Sequence, residues 1–536
     1  MTEPGDSRGS LSRSAAGDRN PWLVAVVISI ATFMQVLDTS IANVALQYIA
    51  GSMAASLDES TWILTSYLVA SAVVLPISGW LSGVIGRKRF YMGCVAVFTA
   101  SSILCAVAPN LQALIFFRVL QGLGGGGMAP SEQSMLADTF PARLRGQAFA
   151  LYGIAVIVAP TVGPTLGGWL TDNFSWHWIF LINGPIGLMS LFLVQFMVTE
   201  PPALIREREQ RLAGGLKVDW IGFLLISLAF GCGEIVLDKG QRDDWFSSDF
   251  IVFFGCASAV SFLLFLPWEL SQEHPIVEIR LFARRQFATC CLMMLAIGGL
   301  LSSTTQLIPQ LLQGSFGYTA TLSGLALMPG GFAMLLVMPF AGAIGNYVRP
   351  KYMMAAGMFV AGLALLYSTS ISGAANFSFF SFARVLQTLA LPFLFIPITS
   401  ASYSGLPPDK TDAASSLINV ARNIGGSLGI SAATTLLARY SQIHQNYLVA
   451  NVAASSLPYQ NQIKATTDAL TAQGLSSAAA QQTAIALVGQ QVNEQATLLA
   501  YIDVFSTFGF IALMLAPLAL ILLRAPRGGG QPQFGH

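Results

Sequence analysis

Charge is scarce in this chain. Only 10% of its 536 residues are Asp, Glu, Lys or Arg, against about 25% in soluble domains. With 54% hydrophobic residues and a mean hydropathy of +0.63, a string of soluble domains is excluded and one polytopic membrane protein is expected. The net charge of +1 leaves no global field for nucleic acid. Histidine is rarer still. His177, His274, His444 and His536 fall in loops or at the ends of apolar runs. No metal or haem site inside the membrane is therefore expected, nor a histidine to activate a serine in an intramembrane enzyme. The six cysteines lie in apolar runs without ligand spacing and read as small membrane residues. The stretch from Met1 to Asn20 contains no apolar core, so no cleavable signal peptide is expected. No ATPase motif is present, and no cofactor is expected.

What the sequence does have is length of apolar run. Fourteen stretches of about 20 residues, enough for roughly 30 Å of hydrocarbon, recur from 22–46 to 501–523. They must be helices, because lipid offers no partners to open backbone groups. Placing the N-terminus inside puts about 20 of the 27 Lys and Arg residues in inside loops and tails, among them Arg8, Arg13, Arg19, Arg87, Lys88, Arg89, Arg211, Lys217, Arg524 and Arg527. Three more, Arg118, Arg384 and Arg422, lie within spans.

"FFRVLQGLGG" at Phe116 is echoed by "FARVLQTLAL", in which Arg384 and Gln387 stand for Arg118 and Gln121. The interval between the two motifs is about eight spans. Two six-helix halves, 22–198 and 288–523, are expected around a linker, 199–287, holding two inserted helices. Tails at 1–21 and 524–536 complete the chain. Such repeats are typical of secondary transporters with a site near the midplane; a chance match in biased composition is the alternative.

Several motifs together resemble one family. "GWLSGVIGRKR" (Gly79 to Arg89), "RVLQGLGGG" (Arg118 to Gly126), "GIAVIVAPTVGPTLGG" (Gly153 to Gly168), "LDTSIANVAL" (Leu37 to Leu46) and "WIFLINGPIG" (Trp178 to Gly187) resemble the signatures of the major facilitator superfamily, specifically its fourteen-helix drug:proton antiporters of the EmrB type. The resemblance implies an all-α polytopic fold and proton-driven export of hydrophobic and amphiphilic compounds across a bacterial inner membrane. It also implies a periplasmic membrane-fusion adaptor of the EmrA type and an outer-membrane channel of the TolC type as partners. An exporter of one metabolite, or a channel or sensor, is the alternative. The superfamily usually places an aspartate where this chain has Gly83, so the charge latch that acid implies lacks its acid here.

Charges inside spans call for a functional reading. Asp38 and Arg118 fall at similar depths and could pair, as a proton-coupling site or as a static ion pair. Glu132 could be a second proton site, a cation-binding acid, or a group snorkelling to the interface. Arg118, Gly122, Gly125, Ala129 and Glu132 share one helical face, which reads as a cavity wall. Gln35, Asn43, Gln121, Arg384 and Asn419 join the expected substrate cavity. Gly79, Gly83, Gly86 and Arg87, with Gly163, Pro164, Gly167 and Gly168, are expected at gates, through close helix approach and a proline bend. "GLGGGG" formally contains G-x-G-x-x-G, but inside a membrane helix it lacks the strand a nucleotide fold needs. Glu234 and Asp503 read as interfacial. The outer segment 438–500 carries a short apolar stripe, Ile485, Val488 and Val492. It reads either as an adaptor dock or as a helix lying on the membrane.

Overall fold

The computed structural model describes residues 20–522, apart from 201–204, 207, 210–212, 214–217, 274, 346, 408, 409, 453 and 454. The expected tails and the basic residues Arg8, Arg13, Arg19, Arg211, Lys217, Arg524 and Arg527 lie outside the described residues, as does His274. The described residues contain helices and no β-strand.

The first six long helices are α1 (Pro21–Ser52), α2 (Trp62–Ile85), α3 (Arg87–Ala106), α4 (Leu111–Thr139), α5 (Ala142–Asn173) and α6 (His177–Met197). Then come α7 (Trp220–Lys239) and α8 (Asp249–Ser271). The rest are α9 (Arg285–Ser315), α10 (Ala320–Ile344), α11 (Pro350–Ser368), α12 (Phe377–Ser402), α13 (Thr411–Asn451), α14 (Leu457–Ala472) and α15 (Ser477–Leu522). Among the described residues, eleven helices are long and apolar enough to cross a membrane, or twelve with the bent α5 counted as one. The long helices α4 and α13 fall outside that count. Arg118, Glu132 and Asp138 dilute one, and Asp412, Arg422 and Arg439 the other. Length and composition thus account for twelve of the fourteen expected spans. The chain is a multi-pass integral membrane protein.

Local chemistry sets the helix ends. Gly86 alone separates α2 from α3, and its φ of +100° is a conformation side chains with a Cβ rarely adopt. Asn110 and Asn376 cap α4 and α12, each side chain accepting from a backbone N–H three residues on, at 2.9 and 3.1 Å. The two caps are offset from each other just as Arg118 is from Arg384, so the repeat seen in the motif extends to the helix start. In α5, Pro164 cannot donate to the carbonyl of Pro160. Ser40 of α1 donates to that carbonyl instead, at 3.3 Å, and the helix bends by 41° between Pro160 and Val162.

The helices pack through small residues, as expected where lipid removes the hydrophobic drive between them. α4 lies between α2 and α3, and α5 between α1 and α10. α9 packs along α13 through Gly298, Gly299, Gly425 and Gly429. α7 packs on α8, α2 and α13.

The outer segment differs from a loop. α13 runs for 41 residues and α15 for 46, about 61 and 69 Å, roughly twice the hydrocarbon thickness. Both therefore project beyond the membrane, with α14 packed on α15. The buried stripe on α15 is an alanine ladder, Ala480, Ala484, Ala496 and Ala500. Val488 and Val492 are half-buried, and Ile485 is exposed rather than part of that seam.

Candidate functional site

Asp38, near the middle of α1, is 2% exposed, and Arg118 of α4 is fully buried. Arg118 Nη1 donates to Asp38 Oδ2 at 2.6 Å and to Gln121 Oε1 at 2.8 Å. Gln121 Nε2 and Asn183 Nδ2 both donate to Asp38 Oδ1, at 2.9 and 2.6 Å. Asn183 also reaches Ser102 Oγ at 3.0 Å, and Arg118 Nε donates to the Ile63 carbonyl at 3.0 Å. The carboxylate thus receives a cation and two amides, which offset the cost of removing it from water. Above the pair, the guanidinium lies 4.5 Å from the ring centroid of Tyr67.

A second constellation, around Arg384 of α12, repeats this one without the acid. At the repeat positions of Asp38, Ser102, Arg118 and Gln121 stand Thr304, Ser368, Arg384 and Gln387. Arg384 Nη1 donates to Thr304 Oγ1 at 3.2 Å and Gln387 Oε1 at 3.4 Å, and Gln387 Nε2 donates to Ser368 Oγ at 2.9 Å. Threonine occupies the aspartate's place, so Arg118 is ion-paired, whereas Arg384 makes no ion pair among the described residues.

A cavity of about 1170 Å³ lies between α1, α2 and α5 on one side and α9, α12 and α13 on the other. Val156, Ile297, Leu391, Phe395 and Arg422 line its inner end; Tyr48, Asp172, Gln313 and Tyr318 line its mouth at the opposite end from Arg87. Gln35 and Asn43, expected in a substrate cavity, line it, and so do Pro164 and Gly168, which were expected at a gate. Gln35 Nε2 donates to Tyr67 Oη at 3.4 Å, and both residues stand between the cavity and the Asp38–Arg118 pair.

Several expected cavity residues are elsewhere. Gly122, Gly125 and Ala129 are not a cavity wall, because that face of α4 is filled by α2. A Cβ at Gly122 would meet Ala70 Cβ at 2.8 Å, and one at Gly125 would meet Tyr67 Oη at 2.6 Å. Ala129 is buried in the helix packing. Gln121 is committed to Asp38. Arg384 sits one layer back, donating to Thr305, which does line the cavity. Glu132 does not snorkel: it is fully buried and accepts from Thr32 and, at 3.1 Å, from Tyr91. Glu234 is not interfacial either. It is 5% exposed and accepts from Ser427 of α13 at 2.6 Å. Asp503 pairs with His444 at 2.7 Å where the projection begins.

The face bearing Arg87 is closed. Arg87 Nε lies 2.8 Å from Asp412 at the start of α13, and Arg87 also pairs with Asp138 at the end of α4. The latch that Gly83 cannot make is thus built with acids from two other helices. Gly83 instead lines a small pocket beside Gly79 and Gly86. A Cβ at Gly79 would lie 2.9 Å from the Asp412 carbonyl. Asn419 belongs to this seal: its Nδ2 donates to Gln133 Oε1 at 2.9 Å, and Tyr403 donates to the same oxygen at 3.3 Å. Phe149 stacks on Tyr403 at 5.5 Å. On the other side of α5, Gly163 and Gly167 take up Ser40 and Ile41 of α1.

Sequence reasoning missed Asn183, Ser102, Tyr67, Asp138 and Asp412. Asn183 stood inside a quoted motif, and the two aspartates flank helix ends near the basic turn.

The Major Facilitator Superfamily profile matches residues 28–430. Over 496 residues the chain is 35% identical to the multidrug export protein EmrB of Haemophilus influenzae, covering 92% of this chain and 94% of that one. It is 34% identical to EmrB of Escherichia coli K12 over 512 residues, covering 95% and 96%. A crystal structure of a human organic anion transporter superposes with a TM-score of 0.55 at 14% identity, covering 78% of this chain and 94% of that one. The chain therefore belongs to the Major Facilitator Superfamily and is a relative of its EmrB proteins.

Proposed function

We propose that the protein is a proton-coupled exporter of hydrophobic and amphiphilic compounds in a bacterial inner membrane. It crosses that membrane fourteen times, as two six-helix halves around inserted α7 and α8. The observation that carries this is the Asp38–Arg118 pair, buried beside a cavity that opens at one end while the other is sealed. The basic turn Arg87–Arg89 favours the cytoplasmic side for the sealed face, and the mouth then faces the periplasm.

Protonating Asp38 removes the negative charge that holds Arg118, Gln121 and Asn183. Leaving a buried arginine without its acid costs about 3–5 kcal/mol, the scale supplied by one charge crossing 100–200 mV, about 2.3 kcal/mol per 100 mV. Arg118 touches Tyr67, and Tyr67 lines the cavity, so substrate and proton act on neighbouring groups. Glu132, locked to Thr32 and Tyr91, is a second acid that can titrate as helices shift. Arg87 with Asp138 and Asp412, and the bent α5, serve as the moving seals. The energy comes from the proton gradient, without a cofactor.

Reconstituted Asp38→Asn should bind substrate and lose export under an imposed pH gradient. Wild-type export by that variant would sink the proton-coupling role.

An adaptor of the EmrA type and a channel of the TolC type complete the proposed pump. Support comes from the projection of α13–α15, which exposes Ile443, Tyr447, Val449, Leu457 and Ile485. Tyr447→Glu combined with Ile485→Glu should leave transport in vesicles intact and abolish resistance in cells. Resistance at wild-type level would mean the projection is no docking element.

A further inference from the structure

The helix α7 stands behind the cavity wall where α2 and α13 part. Near the sealed end these two helices touch, Ser416 donating to the Leu75 carbonyl. Toward the mouth, Leu68 and Ser71 of α2 and Asn423, Ser427 and Ile430 of α13 line the cavity between them. There α7 is clamped to α2. Asp238 accepts from Thr65, and Lys239 donates to Thr61 with its ammonium 5.0 Å from the Trp62 ring centroid. A Cβ at Gly231 would meet Val73 of α2 at 3.3 Å. Glu234, on the same face as Gly231 and Asp238, reaches the other helix instead. It accepts from Ser427 of α13 at 2.6 Å.

Glu234 is 5% exposed, makes no ion pair among the described residues, and takes that hydrogen bond from a neutral group. Asp38, by contrast, collects a guanidinium and two amides. A buried carboxylate with one neutral donor is costly to keep ionised once that donor leaves. The charged groups around it are Asp238 and Lys239, both engaged with α2, and Arg422, five residues from Ser427 and about 7.5 Å along α13. From α2 come the hydroxyls of Thr61 and Thr65. From α8 comes Ser258, which donates to the Ala229 carbonyl at 2.7 Å.

Ser427 suits both protonation states of the acid. Its oxygen also lies 3.3 Å from the Asn423 carbonyl. It gives its one hydrogen to an ionised Glu234. With Glu234 protonated, the carboxyl O–H donates to Ser427, and Ser427 donates to Asn423. The contact therefore accommodates a proton, but only the ionised acid depends on it.

We propose that Glu234 is a proton-binding clasp for the cavity mouth: ionised, it holds α13 to α7 and so to α2, and a proton taken up from the cavity frees α13 to move. The proposal rests on the export reading only in taking the mouth to close during the cycle. Loss of its donor disfavours the ionised acid about 10- to 100-fold. States without the contact thus bind the proton, and states with it release the proton. Acid on the mouth side then favours closure.

The test uses the full chain in lipid nanodiscs, with the six native cysteines replaced by alanine and with Asp38→Asn, so that the coupling pair gives no pH response. Nitroxide labels at Gln47→Cys of α1 and Gln313→Cys of α9, two positions that line the cavity toward its mouth, report its width as a distance distribution by pulsed electron paramagnetic resonance. On acidification the short-distance population should grow several-fold or more. Adding Glu234→Gln should give the acidic proportions at every pH, at the same distances, which also shows that the variant is folded. Adding Ser427→Ala instead should raise the short-distance population several-fold at neutral pH. With native Asp38, Glu234→Gln should diminish the pH response. Difference infrared spectra of the same nanodiscs should show a protonated-carboxyl band on acidification that the Glu234→Gln protein lacks. The clasp is overturned by a parent whose distances ignore pH, by a Glu234→Gln protein whose distances follow pH as its parent's do, or by a carboxyl band equal in both. Proteoliposome export by the chain with native Asp38 separates the two readings. A clasp that behaves as stated, in a chain that moves no amphiphile under a pH gradient, fails the export reading alone. Gradient-driven export with a mouth indifferent to Glu234→Gln fails the clasp alone.

Discussion

At the residue scale, the site is decided by how many donors a buried carboxylate can collect. Asp38 takes one guanidinium and two amides, and Asn183 is held in turn beside Ser102. Removing one donor leaves the ion pair standing but loosens it. A hydrogen bond to a charged group contributes about 1.5–3 kcal/mol. Asn183→Ala is therefore expected to lower gradient-driven export about tenfold or more, with expression unchanged and substrate binding retained. Unchanged export rates in proteoliposomes would remove Asn183 from the coupling site. The contrast between Asp38 and Thr304 makes the same point across the repeat. One side-chain difference separates a neutral pair at Arg118 from a buried guanidinium at Arg384 that meets hydroxyls and an amide instead of an acid.

At the element scale, glycine decides which helices touch. α4 is almost free of side-chain bulk from Gly122 to Gly127 and is clasped on both sides. A Cβ at Gly126 would sit 2.6 Å from the Ser71 carbonyl of α2, and one at Gly124 would sit 2.7 Å from the Cys94 carbonyl of α3. Gly126→Val should thus destabilise the protein by about 1–3 kcal/mol, seen as a lower unfolding temperature in detergent. Gly93→Ala, with nothing within 4 Å of its added Cβ, should leave that temperature unchanged. Equal temperatures for the two variants would show that the glycine face is not a packing device. α13 and α15 carry a different lesson. Their outer thirds are rich in Gln, Asn, Ala and Ser, which lack the hydropathy of a span yet suit a helix in water.

At the scale of the whole molecule, the two ends of the cavity are governed by different contacts. The sealed end depends on the Arg87 cluster and on Gln133, Asn419 and Tyr403, all of which link one half to the other or to its neighbours. Weakening it should favour opening there. In a background with the six native cysteines replaced by alanine, Ser416→Cys reports on this end, since Ser416 is 1% exposed and donates to the Leu75 carbonyl. Adding Asp412→Asn should raise its labelling from the Arg87 face several-fold. Labelling that stays at background would mean that the Asp412 bridge does not hold the seal.

The membrane class, the repeat around Arg118 and Arg384, and the basic turn at Arg87 were readable along the chain. Each rests on local composition or on spacing, which a linear string preserves. What only the tertiary structure decided is which groups meet. Asp38 finds Asn183 from 145 residues away, and Arg87 finds Asp412 from 325 residues away. The small-residue face of α4 looks identical in sequence whether it lines water or touches a helix; the carbonyls of α2 and α3 settle it as contact.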